Sequence, residues 1–391
     1  MRCVSIELND YRNISRAFIE PSPGVNLLLG DNAAGKTSAL EGIYLFAAGR
    51  SFRGAGETSL IRFGTPMAGL RLRYTDTLAD LHTLELRYCA NTIPSPDRRT
   101  PVAECRRIAK VEGVPVRRLS EFIGNFRAVI FAPEDLDLVK GGPAVRRDLL
   151  DSALSRLYPD YLADLSAYNT LLRQRSALIR SHAQKGGSAS DASFRTSLSV
   201  WSEQLAPLCE RIAEARVKYA VILQTCAGEL MRGMSGGKEE LRLVPAAPKT
   251  ADEYLYLLTS QLERELAAGT TLSGIHRDDL GIMLAGLPLR AFGSQGQQRT
   301  AALSVKLAEG DAVRQIKGDY PVFLLDDILS ELDENRQERL LECLGDRQVI
   351  ITAAQLPPSC TSPFHGEANI IPVRAGKFGK DAEEQNANQD Q

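Results

Sequence analysis

One short stretch constrains this chain more than any other. Val25-Asn26-Leu27-Leu28-Leu29 is an apolar run suited to a parallel strand buried on both faces. It leads directly into Gly30-Asp31-Asn32-Ala33-Ala34-Gly35-Lys36-Thr37, and from Thr37 to Ala48 apolar residues return at helical spacing, at Leu40, Ile43, Tyr44 and Ala47. The octet fits G-x-x-x-x-G-K-[ST] in full. Its glycines let the backbone wrap a phosphate with several N–H groups pointing inward, and the following helix adds the positive end of its dipole. In such a loop the Lys36 ammonium bridges the β- and γ-phosphates and the Thr37 hydroxyl holds Mg²⁺. Residues 30–37 are therefore the expected ATP-binding loop. A plain glycine turn capping a helix is the alternative, and the strand on one side and the helix on the other speak against it.

A phosphate loop needs a carboxylate at the end of a neighbouring strand. Val322-Phe323-Leu324-Leu325-Asp326-Asp327 supplies two. Asp326 is the expected Mg²⁺ ligand, direct or through water, and Asp327 the group that polarises an attacking water. Lys36 and Asp327 are thus the catalytic pair. Nearly 290 residues separate Thr37 from Asp326, so something large is inserted between two halves of one site. Much of it is helical. Leu149, Leu150, Ala153, Leu154 and Leu157 keep one face, Pro159 interrupts, and Leu162 to Leu178 continue. After a KGGSASDAS tip, Phe194 to Cys226 repeat at three and four. The pattern predicts an αα-hairpin arm of ~35 residues a side, about 50 Å long. The expected segmentation is an ATPase half over 1–130, a helical insertion over 131–270, the second ATPase half over 271–378 and a disordered polar tail over 379–391.

Upstream of the paired acids, Phe292-Gly293-Ser294-Gln295-Gly296-Gln297-Gln298-Arg299-Thr300 opens another helix. A small Ser-x-Gly turn at a helix N-terminus is an anion site. The γ-phosphate held by Lys36 already has its cradle, so this turn is expected to cap a nucleotide bound to another subunit. Ser330-Glu331-Leu332-Asp333 follows the acids, where a dimer-contact loop would lie, and Thr352 ends the next strand within reach of the γ-phosphate. Met234-Ser235-Gly236-Gly237-Lys238 imitates a transporter-type L-S-G-G-Q but lies about ninety residues before Asp326. It reads as a loop ending a helix.

In this order (phosphate loop, helical insertion, S-x-G-Q, four apolar residues with D-D, S-E-L-D) the chain resembles ABC-type ATPase heads of the SMC class. More closely it is similar to the RecF family of recombinational-repair proteins. The likeness spans nearly the whole chain. It includes Tyr11-Arg12-Asn13, Gly49-Arg50-Ser51-Phe52-Arg53, Phe131-Ala132-Pro133-Glu134-Asp135-Leu136, Gly142-Pro143 with Arg146-Arg147, and His276-Arg277-Asp278-Asp279-Leu280. Ile275 stands where the family usually has proline, and Asp327 where ABC ATPases usually have glutamate. The resemblance implies an α/β fold: a P-loop ABC-type ATPase head with an inserted, mainly helical lobe. It implies that Arg12 and Asn13 line the ATP site and that Ser294, Gly296 and Gln298 form a signature presented in trans. It further implies an ATP-driven homodimer that clamps double-stranded or gapped DNA, with slow, weak DNA-dependent ATP hydrolysis as a switch. RecR and RecO are the implied partners, with RecA loading at gaps.

Charge agrees with a local rather than a general DNA surface. Lys+Arg number 47 against Asp+Glu 49, a net charge of -2, which excludes a uniformly basic coat. Between Arg98 and Arg118, however, Arg98, Arg99, Arg106, Arg107, Lys110, Arg117 and Arg118 face only Glu104 and Glu112, a candidate phosphate-tracking patch. The seven cysteines are an odd number with no C-x-x-C, and the four histidines are scattered; this predicts a reduced, cytoplasmic protein with no zinc ribbon. No apolar run reaches the roughly 18 residues of a membrane helix. A transporter-type or other ABC ATPase subunit is the alternative; its usual switch histidine is replaced here by Thr352.

Overall fold

The computed structural model describes residues 1–91, 105–345, 347–356 and 368–382. The chain packs as two units. The first holds Met1–Leu136, Leu230–Lys238 and the chain from Leu303 onward; the second holds Asp137–Glu229 and Glu239–Ala302.

The first unit is an α/β structure with two six-stranded sheets. In one, the strands Asn369–Arg374, Val25–Leu29, Val349–Ala353, Val322–Asp326 and Ala128–Phe131 lie parallel in that order, with Lys377–Phe378 antiparallel at the edge. Their sequences are apolar runs because both faces are covered; every residue of Val322–Asp326 and Val349–Ala353 is buried. The other sheet is antiparallel, in the order Ile14–Ile19, Arg2–Tyr11, Met67–Thr75, Leu81–Ala90, Cys105–Val111, Val114–Pro115. Here alternation rules: Leu70, Leu72 and Tyr74, then Leu84, Leu86 and Tyr88, point into the core, while charged residues point out. Helix Lys36–Ala48 touches strands of both sheets. All its residues but Thr37 are buried, so its sequence has no polar face. Gly42 permits the approach, because a Cβ there would meet Leu8 Cδ2 at 2.9 Å.

The second unit is mainly helical. Pro143–Leu157 and Pro159–Gln184 are followed by Ala192–Ser235, a helix of 44 residues whose last turns belong to the first unit. The hairpin is antiparallel. Arg211 Nε and Nη2 bond Asp164 at 2.8 and 2.7 Å, Arg175 Nε bonds Ser202 Oγ at 3.1 Å, and His182 stacks on Phe194 at 3.9 Å. Its arms are unequal, 26 and 44 residues, against the even ~35 expected from periodicity. The longer helix runs on past Cys226 because Ala227, Leu230, Met231 and Met234 are all buried. It ends at Ser235, and Gly236 and Gly237 turn the chain with φ of 66° and 82°; the S-G-G-K sequence is a helix stop, as its sequence suggested. Arg175 and Glu265, both fully buried, pair at 2.8 Å, and Arg175 also donates to Thr271 Oγ1 and Leu258 O. A small antiparallel sheet, Leu287–Pro288, Leu280–Leu284 and Leu241–Pro245, completes this unit.

At the chain's end Gly379 donates to Pro372 O, and Ala382 is buried; positions 383–391 of the expected tail lie outside the described residues. No described helix is long and apolar enough to cross a membrane.

Candidate nucleotide site

Parallel register assembles the site in the first unit. Asp326 lies level with Thr352, and Thr352 with Leu28. The carboxylate, the hydroxyl and the glycine loop that follows Leu29 therefore share one end of the sheet, the usual crevice of an open α/β sheet. The loop is fixed from several sides. Gly30 N donates to Ala353 O at 3.3 Å, and a Cβ on Gly30 would meet Val373 O at 2.0 Å. Gly35 has φ 113°, a conformation open to glycine. From the turn after the first strand, Asn13 Nδ2 donates to Ala33 O at 3.0 Å, and Ser38 Oγ donates to Asn13 Oδ1 at 2.9 Å. No side chain caps helix Lys36–Ala48, so its first N–H groups remain for an anion. Lys36 folds back over the loop, donating to Gly30 O at 2.5 Å and Asp31 O at 2.8 Å. Burial lowers its pKa, opposed by the charges of Asp327, Asp31 and Asp326.

The two acids differ sharply. Asp326 is buried, and its Oδ1 accepts from Thr37 Oγ1 and from Thr352 Oγ1, both at 2.8 Å. Burial is the main cause that raises its pKa; the two threonine bonds oppose this, and the charges of Asp327 and Glu134 add to it. A cation beside Thr37 and Asp326 would relieve that cost. Among the described residues no three His, Cys, Asp or Glu side chains gather as a metal cage. One carboxylate and one hydroxyl, completed by phosphate oxygens and water, is the donor set that suits Mg²⁺. Asp327 is exposed, with a left-handed backbone at φ 51°, and lines the cleft. Thr352 is buried and fully engaged: its hydroxyl donates to Asp326 and accepts from Asp327 N at 2.9 Å.

Gly35, Lys36, Thr37, Asp327 and Thr352 line a cleft of about 570 Å³. Arg12 and Asn13 line it too, but the Arg12 guanidinium is already committed. Its Nε and Nη2 bond Glu41 at 2.8 and 2.6 Å, and Nη1 donates to Ser59 O at 3.0 Å. Glu41, wholly buried, also accepts from Tyr11 at 3.0 Å and from Ser51. Burial pushes this carboxyl up, and the Arg12, Ser51 and Tyr11 bonds together hold it below its ordinary value. Sequence reading missed Glu41, Arg53, Ser59, Ile61 and Phe63, the last four also lining the cleft. The signal for Glu41 was present: one carboxylate inside an otherwise apolar helix must have a partner.

Ser294, Gly296 and Gln298 belong to the second unit. Ser294 and Gln297 form a capping box: Ser294 N donates to Gln297 Oε1 at 2.8 Å, and Gln297 N to Ser294 Oγ at 3.3 Å. Gln298 Nε2 donates to Gly293 O at 3.1 Å, and Thr300 Oγ1 to Gly296 O at 2.9 Å. Ser294 and Gln295 are exposed, as is Phe292 at 68%.

Of the basic patch, Arg98 and Arg99 lie outside the described residues. Arg107 pairs with Glu57 at 2.9 Å and donates to Gly49 O, and Lys110 lies 3.6 Å from Glu85. Arg106, Arg117 and Arg118 are exposed. Arg106 and Lys110 also share a wider surface. Register puts them on the outer face of the antiparallel sheet with Arg16, Arg71, Arg73 and Arg87, against Glu7 and Glu85.

No family model matches the sequence. Relatives do. A protein named DNA replication and repair protein RecF from Lachnoclostridium phytofermentans is 37% identical over 352 residues, 90% of this chain and 92% of the relative. One of the same name from Lactobacillus delbrueckii subsp. bulgaricus is 36% identical over 380 residues, 94% of each chain. Among solved structures, the recombination mediator protein RecF of the RecFOR pathway, solved with ATP, superposes with a TM-score of 0.82 at 29% identity, covering 96% of both chains. An Smc head domain from Pyrococcus furiosus, bound to the C-terminal domain of ScpA, shares the fold at 15% identity, with a TM-score of 0.54 over 100% of this chain and 99% of its own.

Proposed function

The chain belongs to the RecF family of DNA replication and repair proteins, and from that premise we propose an ATP-gated DNA switch built from two copies of it. ATP binds with its phosphates in the 30–37 loop. Lys36 leaves the Gly30 and Asp31 carbonyls for the β- and γ-phosphate oxygens. Thr37 and Asp326 would hold magnesium, which neutralises phosphate charge when bound. Thr352 keeps the Asp326 carboxylate oriented and fixes the Asp327 backbone. The Asp327 side chain, exposed and turned toward the cleft, polarises the attacking water. Being a single weak base one methylene shorter than glutamate, it suits slow turnover.

The observation that carries the reading is the S-x-G-Q turn, with Ser294 and Gln295 exposed where helix Gln295–Lys317 begins. In the closed dimer this turn of one subunit covers the γ-phosphate held by the other. Hydrolysis removes the shared contact, and the dimer opens. ATP can drive closure only by binding the closed state more tightly than the open one. Double-stranded or gapped DNA lies on the outer face of the antiparallel sheet, where Arg16, Arg71, Arg73, Arg87, Arg106 and Lys110 outnumber Glu7 and Glu85. RecR and RecO are the proposed partners in the cytoplasm, acting toward RecA loading at gaps.

The test is duplex binding measured against salt with ATP, ADP or neither. Wild type should bind most tightly with ATP. Arg73→Ala with Arg87→Ala should weaken binding equally for unrelated sequences and flatten the salt slope by about 2. Binding indifferent to nucleotide would contradict the switch.

A further inference from the structure

The Arg146-Arg147 pair and the His276-Arg277-Asp278-Asp279 run line no part of the nucleotide cleft, yet in the second unit they are joined to each other. Arg146 is 7% exposed, and its Nε and Nη2 grip both oxygens of Asp279 at 2.7 and 2.9 Å. Its Nη1 donates to Leu138 O at 3.2 Å and Gly141 O at 3.0 Å. One guanidinium therefore ties helix Pro143–Leu157 to the 137–141 turn and to the residue that opens strand Leu280–Leu284. Arg147 adds a bond to Asp278 O at 2.6 Å.

Both of Arg146's attachments lead to the same place. The strand continues through Leu287–Pro288 into the single helical turn Leu289–Phe292, directly before Ser294. The Asp137–Lys140 turn packs against Leu289–Phe292 from the side. The backbone of that segment is also what Gln298 holds, its Nε2 reaching Leu289 O, Arg290 O and Gly293 O. The Ser294 turn follows directly on residues 289–293, which Gln298 holds, and that segment packs against the two elements that Arg146 joins.

We propose that Arg146, through Asp279, is a positioning residue that aims the Ser294 turn at the nucleotide of the second subunit. It touches no nucleotide, and the inference rests on the trans-capping reading above. Two groups must meet across an interface with hydrogen-bond accuracy, and a bidentate Arg–carboxylate fork fixes direction where a point charge does not.

The full chain is tested as wild type, Asp279→Asn, Arg146→Lys and, as a control, Ser294→Arg. Asp279→Asn keeps shape and an acceptor for Leu280 N; Arg146→Lys keeps the charge and loses the fork. ATP affinity is measured on dilute monomer, dimerisation with ATP by sedimentation, and steady-state ATPase as kcat and KM separately. Both clamp variants should bind ATP as wild type does, dimerise about tenfold more weakly or worse, and lose kcat with KM unchanged. Arg146→Lys should dimerise no better than Asp279→Asn. The proposal is overturned if both dimerise as wild type while Ser294→Arg does not, or if Arg146→Lys alone dimerises as wild type does. It is equally overturned if the losses follow only a fall in folded fraction and vanish on cooling. Wild type that stays monomeric with ATP overturns the parent reading together with this one.

Discussion

The 30–37 loop and the 294–300 turn are both glycine-containing helix entrances, and the fold treats them oppositely. Around the loop, bonds come from far away in sequence: Asp326 to Thr37, Ala353 to Gly30, Asn13 to Ala33. At the turn, Ser294 bonds Gln297 and Gln298 bonds residues 289–293, both local, while Gln297 reaches Glu239. The loop's geometry is thus a property of the whole first unit, prepared before any ligand arrives. The turn is a small prepared surface presented to whatever docks. The proposed switch needs that contrast: a grip rigid in its own subunit and a lid available to another.

The largest effect expected from breaking that contrast falls on the grip. Lys36→Met should reduce ATP affinity at least a hundredfold by titration calorimetry, since in the proposed site it removes an ammonium that meets the phosphates.

Next comes Glu41→Gln, which leaves Arg12 charged beside a neutral partner. It should destabilise the first unit by ~3 kcal/mol in denaturant unfolding. The sign with pH is fixed by the depressed Glu41 pKa. The carboxylate's contribution is complete above about pH 4.5 and is lost as pH falls through the lower folded value.

The second unit should be the more sensitive in weak acid. His276 is held neutral, its pKa pushed down to about 4 by burial first and then by Arg277, Arg147 and Arg175. Its Nδ1 accepts from Tyr168 at 2.7 Å, and its Nε2 lies 3.2 Å from Thr271 O. Between pH 6.5 and about 4 the unfolded chain takes a proton there and the folded one does not. Stability therefore falls with pH across that window, by roughly 2 kcal/mol after allowance for partial exposure. His276→Asn should flatten the profile there.

The smallest effect belongs to the lid. Ser294→Ala removes a helix cap and should cost only about 1 kcal/mol of stability, while weakening ATP-dependent association.

What the sequence made legible follows the same division. The strand, loop and helix around 25–48 and the strand before Asp326 are local patterns, and periodicity identifies them correctly. Arg12 could be placed at the cleft, but not its commitment to Glu41, because that bond depends on how a turn folds against a helix 29 residues away. Thr352 could be placed at a strand end, but its saturation by the Asp326 carboxylate and the Asp327 N–H follows from parallel register. The capping box is written plainly as Ser294-x-x-Gln297, yet the small residues of the turn point first to an anion site and hide the cap. The division between the units at Ala302 falls inside helix Gln295–Lys317, where no change of pattern marks it.

If each nucleotide site is completed by two subunits, mixing two crippled chains will restore one. Lys36→Met keeps a sound turn on a dead loop; Ser294→Arg keeps a sound loop under a dead turn. Each alone should be inactive in ATP-dependent dimerisation and hydrolysis. Mixed, they should recover one working site per pair and up to about half the wild-type ATPase per dimer. A mixture as inactive as its components, with both chains folded and Ser294→Arg still binding ATP, would contradict the account.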